Sequence, residues 1–184
     1  MNEQFKKARD RIIEHNSENQ TLFGMNHTVK RLMSVMYYYE KSMTLDDMTE
    51  LLGMSKASMS NSVRELLDIG LVEKVWKKGE RKDLYKVEED NYQSFIKYFC
   101  YHWRKILTLK LNPMKKSIDE LNELLGNEGL DVETKALIEK DLEKLYAGLE
   151  YMNWLGRVVT LFESQEIFEY IPKTLENNKS KSLD

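Results

Sequence analysis

A cluster of basic side chains between residues 74 and 86 carries the clearest chemistry in this sequence. Its members are Lys74, Lys77, Lys78, Arg81, Lys82 and Lys86, and only Glu80 and Asp83 oppose them. The whole chain has 28 Lys and Arg against 31 Asp and Glu, for a net charge of −3, so the basic excess is local. Lysine and arginine bind phosphates, and an arginine beside a tight turn can enter a narrow A·T-rich minor groove. The cluster predicts a local nucleic-acid contact; the alternative is a basic surface turn.

A second set of polar side chains shares one face of a helix predicted over Lys56–Ile69. Ser55 is a typical N-cap, and Gly70 is a typical residue just after a helix. At 100° per residue the inward face is apolar; it consists of Met59, Val63, Leu66 and Leu67. The outward face begins with small residues, which allow close approach to a major groove. There Asn61 can pair with adenine, and Arg64 can reach guanine or phosphate. An ordinary solvated helix face is the alternative.

These two sets are the predicted DNA-contacting residues. On the helix and its cap they are Ser55, Lys56, Ala57, Ser58, Ser60, Asn61 and Arg64. In the basic segment they are Lys77, Lys78, Gly79, Arg81 and Lys82.

The surrounding pattern predicts the elements that position both sets. Ahead of the Lys56–Ile69 helix, helical periodicity marks residues 3–20, His27–Tyr39 and Leu45–Leu52, and Gly53-Met54-Ser55 is a tight turn. After it come strands at Leu71–Trp76 and Leu84–Val87, joined by the polar turn Lys77–Asp83. This order is that of a winged helix-turn-helix, in which the hairpin is the wing. Further helices are predicted at Asn91–Leu111, Met114–Leu125 and Asp131 to about Phe162, and Pro113 breaks the first of these or starts the second.

Composition narrows the function classes. The single cysteine, Cys100, excludes an internal disulfide and a cysteine-cluster metal site. The sequence has no apolar run of about 18 residues, so it predicts no membrane span. The N-terminus is charged, so it does not predict a secretory signal. No phosphate-binding glycine loop, nucleophile–base pair or metal constellation is present. We therefore expect a cytoplasmic protein that is not an enzyme, with no catalytic residues, metal, cofactor or membrane partner.

The segment Met43–Asp90, MTLDDMTELLGMSKASMSNSVRELLDIGLVEKVWKKGERKDLYKVEED, resembles the winged helix of MarR-like regulators. More narrowly, it is similar to the GbsR-type repressors of glycine betaine synthesis and choline uptake. The similarity continues in YQSFIKYFCYHWRKI, LNPMKKSI, LEYMNWLGRVV and ESQEIFEYIPK, and it covers roughly residues 20–173. It implies a homodimer, a palindromic double-stranded DNA operator, and repression that choline relieves. A winged-helix regulator without a small-molecule effector is the alternative.

The C-terminal half predicts assembly and ligand binding. The last long helix has two apolar stripes, of which one can face its own core and the other a partner subunit. The first stripe is Leu142, Leu145, Leu149, Met152 and Val159, and the second is Tyr151, Trp154, Leu155, Val158 and Phe162. Aromatic faces hold quaternary ammonium ions. The candidate ligand-binding residues are Tyr98, Trp103, Tyr151 and Trp154, with core packing as the alternative.

The predicted fold class is mainly α: a winged helix-turn-helix with a two-stranded β-hairpin wing, plus a helical part for dimerisation and ligand sensing. The DNA-binding domain is predicted at residues 21–90. The helical region is predicted at residues 91–173, with residues 1–20 joining it, and residues 174–184 are predicted to be a disordered tail.

Overall fold

The computed structural model describes residues 3–19, 24–127 and 129–174. Its helices are α1 (Glu3–Asn19), α2 (His27–Tyr39), α3 (Leu45–Leu52), α4 (Lys56–Ile69), α5 (Asn91–Leu125), α6 (Val132–Glu163) and α7 (Ile167–Tyr170), and its strands are β1 (Val72–Val75) and β2 (Leu84–Val87). The chain divides into two compact units, one up to Tyr98 and one from Phe99. The mainly α, winged-helix fold class is confirmed. The predicted tail lies outside the described residues from position 175 onward.

Local signals set the helix ends in the first unit. Thr44 and Asp47 form a reciprocal capping box at α3: the Asp47 backbone N–H donates to Thr44 Oγ1 at 3.2 Å, and the Thr44 backbone N–H donates to Asp47 Oδ2 at 2.8 Å. The hydrogen bonds that the Asp47 carboxylate accepts from the Thr44 backbone N–H and then from the Thr44 hydroxyl hold the pKa of Asp47 below its ordinary value. Gly53 and Gly70 follow α3 and α4 with φ of 66° and 82°, a left-handed conformation that glycine adopts without a steric penalty.

The core of the first unit joins α2, α3, α4 and the hairpin. Its fully buried side chains include Leu32, Met36, Met48, Met59 and Leu66. On α4 the predicted inward face is confirmed, since Met59, Val63 and Leu66 are buried and Leu67 packs against the same core. The predicted outward face of α4 therefore stays at the surface.

The wing is an antiparallel hairpin in which Val72 pairs with Val87 and Val75 pairs with Leu84. β1 is shorter than predicted, because Leu71 closes the end of α4 by donating its N–H to Leu66 O at 2.8 Å, and the Trp76 side chain lies beyond the pairing. An additional bridge was not predicted: Met43 and Tyr85 exchange two backbone hydrogen bonds of 2.9 Å. This bridge fastens β2 to the segment that leads into α3.

The second unit contains α5 from Phe99 onward, α6 and α7. Ile118, Ile138 and Leu142 form a buried cluster between α5 and α6. Arg104 on α5 donates from Nε to Glu163 Oε1 on α6 at 2.8 Å. Cys100 is buried here, and burial raises the pKa of its thiol to about 11, so it stays protonated and packs as a small apolar group. In the part of the chain described, no helix is long and apolar enough to span a bilayer.

The prediction of a helix break at Pro113 is wrong, because α5 is one helix of 35 residues with Pro113 inside it. Proline removes one backbone donor, and here it lies on the exposed side of the helix, where water can satisfy the freed carbonyl. The short helix α7 was not predicted. Helix α1 lies in the first unit and packs against α2, whereas the sequence grouped residues 1–20 with the helical region. The assignment of dimerisation and ligand sensing to particular segments stays a prediction.

Candidate nucleic-acid interface

Helix α4 presents a polar face beside its N-terminus. Ala57, Asn61 and Arg64 are exposed at successive positions of one helical stripe, and Lys56 is exposed at the first turn. Ser58 and Ser60 are half-buried at its edges. Ser55 is exposed, and its Oγ accepts the Ser58 backbone N–H at 3.2 Å, so this hydroxyl serves as the helix cap. The stripe offers an amide, a guanidinium and little steric bulk, as major-groove readout requires.

The wing tip is a tight turn with its cations uncovered. The Glu80 N–H donates to Lys77 O at 3.1 Å, and Gly79 takes a φ of 89° in that turn. The Glu80 carboxylate turns back onto the backbone and accepts the N–H groups of Arg81 and Lys82 at 3.1 and 3.2 Å. The side chains of Lys77, Lys78 and Arg81 are exposed, and among the described residues none of the three makes an ion pair. The tip is therefore a concentrated positive charge that is open to an anionic partner.

One acidic residue that the sequence analysis missed joins the two polar sets. Asp46, in the first turn of α3, accepts Lys56 Nζ at 2.7 Å and Lys82 Nζ at 2.9 Å. The hydrogen bonds from Lys56 and then Lys82 lower the pKa of Asp46 to about 2. Lys82 lies 36 residues away along the chain, and no sequence pattern signals such a pair.

Trp76 is the second residue that the sequence analysis missed. It was predicted to be the last residue of a strand, but it lies just beyond β1 with 81% of its surface exposed. An indole beside Lys77 at the wing adds an exposed ring next to the basic tip.

Comparison with known proteins decides the family. The chain is 42% identical over 174 residues to the HTH-type transcriptional repressor OpcR of Bacillus subtilis (strain 168), covering 95% of this chain and 94% of that protein. It is 32% identical over 167 residues to the HTH-type transcriptional repressor GbsR of the same organism, covering 91% and 92%. Residues 91–169 match the family description "GbsR family transcriptional regulator, C-terminal helical hairpin". The chain belongs to the GbsR family of transcriptional regulators.

A solved transcriptional regulator supports the fold of this GbsR-family chain. It superposes with a TM-score of 0.52 at 12% identity and covers 83% of this chain and 99% of the other. At that identity the likeness concerns the fold alone.

The predicted ligand-binding aromatics of this GbsR-family chain do not share one environment. Tyr98 is buried in the core of the first unit. In the second unit, Trp103 lies 6.1 Å from the Phe99 ring, centroid to centroid. Tyr151 and Trp154 stack on each other with centroids 6.1 Å apart and a 22° angle between the rings, and both are about half exposed. Among the four candidates, the fold therefore brings Tyr151 and Trp154 together as a surface of two rings.

The first unit also contains a cavity of about 220 Å³ between α2, the start of β1 and the first turns of α5. The residues that line it include Met25, Met33, Leu71, Ser94, Phe95 and Tyr98. An apolar cavity of about 150 Å³ can hold a benzene-sized molecule, so this volume suits a small organic ligand. Of these lining residues, the sequence analysis named only Tyr98 as a ligand candidate. The others were missed because the cavity depends on how α2 and α5 pack.

Proposed function

We propose that this chain is a DNA-binding transcriptional repressor that reads a palindromic operator as a homodimer. The observation that carries the proposal is the pairing of the exposed Ala57–Asn61–Arg64 stripe on α4 with an uncovered basic wing tip in a chain that is acidic overall. In this reading α4 enters the major groove, and Lys77, Lys78 and Arg81 contact the flanking backbone and minor groove. The names of the relatives OpcR and GbsR, both HTH-type transcriptional repressors, support repression.

The homodimer rests on apolar surface in the second unit. Tyr151 and Trp154 stack on each other on α6, and each is about half exposed, and exposed apolar surface of this kind can mark an interaction site. On the same helix Leu142, Met152 and Val159 of the first stripe are buried, and so is Leu155 of the second. Light scattering should give about twice the 21.9 kDa chain mass, and a monomer at micromolar concentration would contradict the dimer.

Operator selection tests the DNA-binding proposal. The protein is used to enrich duplexes from a random pool, and the enriched sequences are compared. Two α4 helices related by a two-fold axis should select inverted repeats with half-site centres about 10 base pairs apart. Enrichment of no common sequence would refute operator recognition.

The proposal also includes a small-molecule effector. We propose that choline relieves repression by binding aromatic faces, either at the stacked pair Tyr151 and Trp154 or in the cavity that Phe95 and Tyr98 line. A quaternary ammonium group gains about 0.5–2 kcal/mol from each ring face. The cavity is preformed in the first unit, close to the base of the wing, and this favours it as the site.

Thermal unfolding with choline tests the effector. A ligand at 100 times its dissociation constant that binds only the folded state stabilises it by about 2.7 kcal/mol. The control is 3,3-dimethylbutan-1-ol, which has the shape of choline without the charge. A shift with choline alone supports a cation site. No shift with either compound supports a regulator without this effector.

A further inference from the structure

The side-chain cluster of Asp46, Lys56 and Lys82 joins three elements that the chain brings together from separate places. Asp46 lies in α3, Lys56 is the first residue of α4, and Lys82 lies between the wing tip and β2. Asp46 Oδ1 accepts Lys56 Nζ at 2.7 Å, and Asp46 Oδ2 accepts Lys82 Nζ at 2.9 Å. Both carboxylate oxygens are thus used, each by a different DNA-reading element.

We propose that Asp46 is a positioning residue that holds the wing against the start of α4, so that the two elements present their cations at a fixed spacing. The DNA part of this inference rests on the proposed function. Without the carboxylate, two ammonium groups held by the same small region would repel each other. With it, each lysine spends one of its three donor hydrogens on Asp46 and keeps the others for phosphates.

The same carboxylate limits sequence-independent binding. Lys56 and Lys82 are already partly neutralised, so fewer counterions are released when the wing meets an arbitrary phosphate backbone. On an operator the fixed spacing of α4 and the wing matters most, because both must engage at once. The bridge should therefore favour operator over non-operator DNA.

Asp46→Asn tests the bridge, and Asp83→Asn is its matched control. Asp83 pairs with Lys74 at 2.7 Å within the wing, so its substitution makes the same charge change and frees one lysine but leaves Asp46 in place. The chain has three tryptophans, and replacing Trp103 and Trp154 with Phe leaves Trp76 as a reporter on the wing. The fluorescence anisotropy of Trp76 in the DNA-free protein should fall in Asp46→Asn and stay constant in Asp83→Asn.

DNA binding gives the second readout. In Asp46→Asn, the loss of non-specific affinity between 50 and 200 mM salt should grow by roughly 3- to 12-fold, because phosphates then neutralise up to two lysine charges that Asp46 neutralises in the wild type. Operator affinity should gain less, so the ratio of operator to non-specific affinity should fall. If both affinities rise in parallel, or if the two variants lower the anisotropy equally, Asp46 acts only through its charge and the inference is wrong.

Two further measurements keep the outcomes separable. Far-UV circular dichroism verifies that Asp46→Asn folds, and Lys82→Gln, which cuts only the wing side of the bridge, should reproduce the anisotropy loss. Unchanged Trp76 anisotropy in Asp46→Asn and in Lys82→Gln would overturn the inference. If the wild-type chain selects no operator, the proposed function fails, while the anisotropy result still decides whether the bridge holds the wing.

Discussion

Arg81 offers the most direct test of how the wing reads DNA. Its side chain is exposed and makes no ion pair among the described residues, and its backbone N–H, which alanine retains, donates to Glu80 Oε1. Arg81→Ala should therefore change the free energy of unfolding by less than about 0.5 kcal/mol. A guanidinium in a narrow minor groove should contribute about 1–3 kcal/mol to operator binding. The expected loss of affinity is then about 5- to 150-fold.

The assay is a fluorescence anisotropy titration of labelled operator duplexes with A·T-rich or G·C-rich flanks. Minor-groove insertion predicts that Arg81→Ala loses most on A·T-rich flanks, and that Arg81→Lys keeps the salt dependence but loses the flank preference. A phosphate contact alone predicts an equal loss on both flanks and a salt slope reduced by about 0.9. Unchanged affinity at about 150 mM salt, where charges are screened beyond about 8 Å, would refute the contact.

Three other predictions concern stability, pH and signalling. Leu66→Ala should lower the free energy of unfolding in urea by about 2–5 kcal/mol because Leu66 is fully buried, whereas the exposed Arg64→Ala should change it little. The folded pKa of Asp46, about 2, lies below its ordinary value of 3.8. The bridge of Asp46 to Lys56 and Lys82 should therefore persist as pH falls from 7 to 4 and weaken only between about 4 and 2. A Trp76 anisotropy that drops above pH 5 would contradict this prediction. Phe95→Ala in the cavity lining should still bind operator but no longer release it with choline, whereas Trp154→Ala should release it like the wild type. The opposite result would place the effector at the Tyr151–Trp154 pair.

The helix-turn-helix could be predicted because its signals are local. Each helix cap bonds a backbone group that lies within four residues of it, so a short stretch of sequence holds both partners. The caps concerned are Thr44, Gly53, Ser55 and Gly70. The inward stripe of α4 follows from the helical period alone. The basic tip stands out because six Lys and Arg residues fall within residues 74–86 of a chain that is acidic overall.

The features that the sequence did not predict depend on long-range packing. Asp46 meets Lys82 only after the hairpin folds back on α3, and Met43 pairs with Tyr85 for the same reason. The effect of Pro113 depends on which side of α5 faces water, and a local rule about proline cannot decide that. The ligand candidates show the same limit, because the cavity that Tyr98 lines exists only through the packing of α2 against α5.

The base of the wing explains how an effector near α5 could reach the DNA-reading elements. Lys97 on α5 donates to Glu88 Oε2 at 2.6 Å, and the Tyr92 N–H donates to Asp90 Oδ1 at 2.7 Å, so the first turns of α5 are tied to the end of β2. The Glu88 N–H in turn donates to Leu71 O at 2.8 Å, which continues the connection to the end of α4. A ligand in the cavity beside Leu71 would act on this junction directly. Suppose that the ligand favours a position of α5 that operator binding disfavours. The ligand then lowers the affinity for operator, and the operator must lower the affinity for the ligand by the same factor, typically about 5- to 150-fold. Choline affinity measured with and without operator therefore tests the coupling from its other side.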